Sequence, residues 1–278
     1  MTTVAFRAGV ARGLVELRQA FTGTALLGQL LWPAATVAAL WYFRDHRLPG
    51  GGTLGAFILP SVLGTYVAVG AVLMIQYLAT EREDGTLLRA RIIPDGIQGY
   101  LTGKLVTVSG SVAIYLVLVA VPGALLVHGL AVHRVGAWLT LAWVVPLGFV
   151  ATQSIGATLG ALVSGTRAIG YLSALVMGLI SISGIFYPIT ALPRWLQWVA
   201  QAFPIYWLGL GMRSAVLPAG AVAAELGRSW RPLETAVALS IWTALGLTLA
   251  PVVLRRAARR ESTATVTRRR DRALRRTR

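Results

Sequence analysis

Six stretches of about twenty residues or more lack Asp, Glu, Lys and Arg: Thr24–Phe43, Leu54–Ala79, Leu105–Val127, Ala137–Val163, Ala168–Tyr187 and Ala236–Leu254. A bilayer core about 30 Å thick needs about 20 mostly apolar residues per helix. Away from water, such a helix satisfies its own backbone N–H and C=O groups. The pattern predicts an all-α membrane protein with six transmembrane helices over residues 24–254. A soluble domain is typically about 25% charged; this chain of 278 residues is 13% charged and 56% apolar. That excludes a disordered chain and argues against an ordinary soluble enzyme. Pro33, Pro60, Pro122 and Pro146 lie inside four of the stretches, where neighbouring helices tolerate kinks. Gly156 and Gly160 form a small-xxx-small pair suited to close helix contact.

The segments outside the spans carry the charge. In residues 1–23, Phe6, Val10, Leu14, Leu17 and Phe21 recur at helical spacing, predicting an N-terminal amphipathic interfacial helix. The first span is too long for a signal-peptide core and no A-x-A site follows it, so it reads as an uncleaved helix. The net charge of +16 is concentrated in residues 255–278, which hold 11 arginines and two acids. No aromatic residue lies in that tail to stack a base, so nucleic-acid binding ranks below lipid anchoring or partner contact. With the N-terminus, the loop Thr80–Lys104, Arg167 and the tail on one side, that side holds 19 basic residues against seven on the other. The excess marks the cytoplasmic side and places both termini there. Between the fifth and sixth spans, Pro188–Glu234 carries four tryptophans, residues that concentrate at the membrane boundary. Ala191–Phe203 and Tyr206–Val216 read as two short helices split at Pro204.

Several chemistries lack their residues. There is no Cys, which removes disulfides, thiolate zinc sites and Cys nucleophiles. The three histidines, His46, His128 and His133, lie in loops or at the edge of a span. No G-x-S-x-G occurs. Gly99–Lys104 falls one residue short of a phosphate-binding loop and opens a membrane helix. The span cores lack the ionisable residue that ion-coupled transport uses. Energy for vectorial work must then come from another polypeptide.

Two stretches carry a more specific signal. Glu81-Arg82-Glu83-Asp84-Gly85-Thr86, followed by Leu87, Leu88, Pro94, Gly103 and Lys104, resembles the R-E-x-G-T loop of type-two ABC exporter permeases. The second runs Ser183-Gly184-Ile185-Phe186-Tyr187-Pro188, then Leu192-Pro193-Arg194-Trp195 to Trp198, Phe203-Pro204 and Gly209 to Arg213. It is similar to the same family's stretch between the fifth and sixth spans. The resemblance implies a cytoplasmic coupling helix between spans two and three, with Glu81, Arg82, Glu83, Gly85 and Thr86 at the contact with an ATPase. It also implies two short re-entrant helices, with Gly184, Tyr187, Pro188, Pro193, Trp195, Pro204 and Arg213 near an outer gate. From the residues alone, the first stretch also reads as a solvated loop and the second as an ordinary outer loop.

Polar residues within the spans, Gln29, Gln76, Thr152, Gln153, Ser181 and Ser183, are candidates for a substrate path. An unpaired amide in hydrocarbon is costly, so each must face a watery cavity or bond a neighbouring helix. The implied function is the permease subunit of an ATP-driven exporter of a hydrophobic or amphipathic substrate such as a drug, lipid or natural product. The alternative is a non-transporting membrane scaffold, sensor or immunity-type subunit. No catalytic residue, metal site or cofactor is expected on this chain; ATP and Mg²⁺ belong to the partner. The expected partners are two cytoplasmic ABC ATPase subunits, a second permease copy or paralogue, and membrane lipids. The preference for Arg over Lys, 25 to 1, suggests a GC-rich bacterial genome and hence a bacterial cell membrane.

Overall fold

The computed structural model describes residues 2–47, 53–83, 86–163 and 166–276. These residues form ten α-helices, three 3₁₀ turns and one isolated bridge, Arg47 to Thr53. The helices are α1 (Thr3–Ala20), α2 (Ala25–Phe43), α3 (Leu54–Glu83), α4 (Thr86–Ile92) and α5 (Gly96–Leu126). After them come α6 (Val135–Leu162), α7 (Thr166–Ile182), α8 (Arg194–Ala202), α9 (Pro204–Val216) and α10 (Pro232–Arg276). Five of them, α2, α3, α5, α6 and α10, are long and apolar enough to cross a membrane. The seventh helix is apolar but shorter. Its 17 residues span about 26 Å at 1.5 Å per residue.

Helix α3 is the hub. In its most apolar stretch 72% of the residues are buried, against 11% in α2. It packs against α5, α6, α7 and α9, while α6 also packs against α9 and α10. Glycines set the closest approaches. A Cβ added at Gly156 would lie 2.3 Å from the Ala71 carbonyl oxygen, and one at Gly160 would lie 3.1 Å from the Ile75 Cα. The small-xxx-small pair is therefore the seam between α3 and α6.

Helix α1 runs parallel to α5, in register from Gly9 beside Gly99 through Gly13 beside Gly103 to Phe21 beside Tyr115. Its buried residues are Gly9 and Gly13, whereas Phe6 and Leu14 of its apolar stripe stay exposed. Contact with the bundle is made by the glycine edge together with Leu17, against Gly110, and Phe21, against Tyr115, while the Phe6 and Leu14 side of the stripe is left uncovered. The reason is geometric: two glycine-bearing edges let helix backbones approach more closely than bulky side chains allow.

Three boundaries differ from the apolar pattern. The stretch expected as the loop Thr80–Lys104 is mostly helical, because α3 continues to Glu83 and α5 already begins at Gly96. Asp95, in the left-handed region at φ 54°, turns the chain between α4 and α5. Its carboxylate accepts from the Thr2 backbone N–H at 2.8 Å, which lowers its pKa. The expected fifth span reaches Tyr187, but α7 ends at Ile182. Gly184 there adopts φ 69°, a conformation that breaks a helix and favours glycine. Helix α10 continues through the arginine-rich tail to Arg276, since arginine is a good helix former.

Candidate functional site

The polar architecture concentrates at the two ends of the bundle. At the α4 end, Lys104, the only lysine in the chain, is 2% exposed. Its ammonium bonds Glu16 of α1 at 2.5 Å and pairs with Glu81 of α3. Arg12 supports Glu16 from one turn away at 2.8 Å, and the Thr107 hydroxyl lies 3.2 Å from the same carboxylate. The rings of Tyr77 and Tyr100 stand 5.3 and 5.9 Å from the Lys104 nitrogen, within cation–π range. One buried cation thus ties three helices together. Glu81 is turned into this cluster. Thr86 is the first residue of α4. Asp84 and Gly85 lie outside the described residues, as do the side chains of Arg82 and Glu83.

Helix α4 itself has two faces. Leu87 and Ala90 are buried, whereas Ile92 and Ile93 at its end are 84% and 62% exposed. The helix is thus fastened to the bundle on one side and apolar at its exposed end.

At the opposite end, α8 and α9 occupy Arg194–Ala202 and Pro204–Val216. Pro193 precedes α8, and Pro204 opens α9, where its missing N–H costs nothing. Trp195 and Trp198 are exposed. Helix α9 is buried along nearly its whole length. Its Arg213, fully buried, donates to Glu225 at 2.6 and 3.3 Å and to the carbonyls of Gly184 at 3.0 Å and Ile185 at 3.3 Å. Ser183 is buried in the same turn, its hydroxyl donating to Ile180 O at 2.7 Å. The Tyr187 hydroxyl donates to Ser181 O at 2.5 Å, and Pro188 leads into a 3₁₀ turn. The structure therefore brings Ser183, Gly184 and Arg213 together, while Trp195 is exposed at the surface.

The polar residues within the helices do not share one cavity. Thr152 is buried and donates to Gly148 O at 2.8 Å, with Val67 O of α3 at 3.1 Å. Gln153 is buried and accepts from Ser109 of α5 at 3.1 Å. The Val67 and Ser109 contacts are interhelical, whereas the Gly148 bond lies within α6. Gln76 and Ser181 are exposed. Gln29 accepts from the Tyr115 hydroxyl and lines a chamber of about 320 Å³ between α2, α3 and α5.

Residues 50–253 match the family model described as ABC-2 family transporter protein. The chain belongs to this family. Comparison with curated proteins finds no match. In this ABC-2 family protein the matched stretch includes Glu81 and Lys104 but not α1. The ionic cluster thus joins the matched stretch to a helix outside it.

Burial raises the pKa of Glu16, but the hydrogen bonds from Lys104 and Arg12 outweigh it, so the carboxyl titrates below its ordinary value. A carboxylate with a lowered folded pKa stabilises above its unfolded pKa and loses that contribution as pH falls through the folded value. Protection of the α1 amides from hydrogen exchange, corrected for intrinsic rates, should be flat through neutral pH and fall only below about pH 4.3. Glu16→Gln should show a smaller acid step, the remainder coming from the Asp95 carboxylate that holds the Thr2 N–H at the start of α1.

Glu16, Tyr77, Tyr100 and Glu225 were not among the residues singled out from sequence. A signal existed for the first. Gly9 with Gly13 and Gly99 with Gly103 are paired small-xxx-small motifs, and Glu16 and Lys104 each follow one. The incomplete phosphate-loop motif is this packing edge.

Proposed function

We propose that this ABC-2 family protein is the membrane-spanning permease subunit of an ATP-driven exporter. In this reading α2, α3, α5, α6, α7 and the apolar part of α10 form six spans, with α7 crossing by virtue of the turn that extends it. Both termini and α4 face the cytoplasm, in keeping with the excess of arginine at that end. The exposed Phe6 and Leu14 of α1 meet the lipid boundary there. Helices α8 and α9 dip into the outer leaflet and return. Two ATPase subunits engage α4, and a second permease copy completes the pathway. This chain contributes no catalytic residue; ATP and Mg²⁺ are held by the ATPase. The substrate is a hydrophobic or amphipathic compound, in keeping with apolar walls that carry few polar groups.

The observation that carries this reading is the exposed tip of α4, Ile92 and Ile93, on a helix whose other face is fixed to the bundle. Movement applied there passes to α3 and α5 directly. Glu81 and Lys104 pass it on to α1. Tilting between inward-open and outward-open arrangements follows if ATPase closure favours one of them. Tagged chain purified from its native membranes should bring down a P-loop ATPase in equal amount. Ile92→Asp with Ile93→Asp should reduce that recovery at least tenfold while insertion is unchanged. Recovery of the chain without an ATPase would support the scaffold or immunity-type reading instead.

A further inference from the structure

We propose that the chamber between α2, α3 and α5 is a binding site for an uncharged amphiphile that offers a hydroxyl or N–H donor. The inference rests on the exporter reading, in which the chamber is a cargo site. The volume of about 320 Å³ falls within the range of small-molecule sites. No Asp, Glu, Lys, Arg or His lines it, so an ion entering would be desolvated without a counter-charge. Nor are the tyrosine rings open as an aromatic cage for a quaternary ammonium. The Tyr115 ring packs against Tyr66 at 5.8 Å and Phe21 at 5.9 Å between centroids.

The hydrogen-bond inventory sets the polarity. Thr36 donates to Trp32 O at 2.9 Å, so the 2.9 Å contact between Thr36 and Tyr66 takes its proton from Tyr66. Tyr115 donates to Gln29, and Thr65 donates to Ser61 O at 2.8 Å. All four hydroxyl protons of the lining are thus committed within the protein. A hydroxyl oxygen retains acceptor capacity after donating. The α3 and α5 walls therefore present hydroxyl acceptors, and the remaining donors, the Gln29 amide and the Trp32 indole, lie on α2. A ligand donor aimed at the Tyr66 and Tyr115 oxygens fits this wall; a ligand carrying acceptors alone finds partners only on α2. Trp32 and Phe186, 72% and 45% exposed, line the chamber on its open side. Helix α2, little buried and following a turn at Gly23 with φ 63°, forms the wall with the least packing behind it.

The test uses the full chain in detergent with pyrenemethanol, a flat uncharged alcohol whose absorption overlaps tryptophan emission, and with its methyl ether. Energy transfer from tryptophan to pyrenemethanol should saturate and should drop in Trp32→Phe. The ether should bind about fivefold more weakly, as expected for one lost hydrogen bond. Tyr66→Phe and Tyr115→Phe should each weaken alcohol binding to a similar degree and narrow the gap between alcohol and ether. Gly28→Phe fills the chamber at a position where a side chain meets open space and leaves the hydroxyl pairs in place. It should abolish the saturable transfer. Transfer that never saturates, persists in Gly28→Phe or treats alcohol and ether alike would overturn the proposal. None of these readouts involves an ATPase, so failure here leaves the co-purification result standing, and the reverse.

Discussion

Arg213→Met should lower the folding stability of this protein by about 3–5 kcal/mol, the typical cost of removing one partner from a buried ion pair. Arg213 and Glu225 are 0% and 4% exposed. The substitution strands the Glu225 carboxylate without its counter-ion. It also removes the donor to the Gly184 and Ile185 carbonyls at the end of α7. A buried acceptor deprived of its partner costs about 1–3 kcal/mol by itself, so the two losses share one cause and do not simply add. The measurement is thermal or SDS-induced unfolding of the purified chain in detergent. The double variant Arg213→Met with Glu225→Leu should recover much of the loss, because replacing both ions by apolar groups removes the stranded charge. An unchanged unfolding midpoint in Arg213→Met would refute the assigned role.

Lys104→Met should have an effect of comparable size, about 3–5 kcal/mol, with a distinct signature. Glu16 and Glu81 converge on the Lys104 ammonium. Without it, two carboxylates face one another in a site of low exposure, and like charges placed together repel strongly. The repulsion between Glu16 of α1 and Glu81 of α3 works against the seating of α1 on the bundle. The variant should therefore lose hydrogen-exchange protection in α1 well before the rest of the bundle. Adding Glu16→Gln to Lys104→Met should restore part of that protection, since one of the two opposed charges is gone. If α1 in Lys104→Met is as protected as in the natural chain, the cluster does not hold that helix.

The two clusters differ in how legible they were. Arg213 was visible as a charged residue in an otherwise apolar stretch, and its acidic partner lies twelve residues on, beyond α9. Lys104 stands where charge ordinarily marks the membrane boundary, so its position in the chain gives no sign of burial. Here helix α5 extends past that boundary, and pairing with two carboxylates makes burial of the ammonium affordable. The chamber residues Tyr66, Tyr115 and Thr36 gave no signal at all. A tyrosine or threonine in an apolar helix looks the same whether it faces lipid, a neighbour or a cavity. Thr152 and Gln153, path candidates by composition, bond adjacent helices in the structure, and Thr152 also lines a cavity of about 360 Å³ between α3, α6, α7, α9 and α10.

The amino-acid order by itself determined the helical class, the placement of most long helices and the split at Pro204. Those follow from local rules, namely the length of charge-free segments, the backbone's need for internal hydrogen bonds in hydrocarbon, and the missing N–H of proline. Tertiary structure alone decided which charge meets which. Glu16 and Lys104 stand 88 residues apart, and no local rule aligns them. Their meeting depends on the registration of two glycine edges, a property of how the helices pack and not of either helix alone.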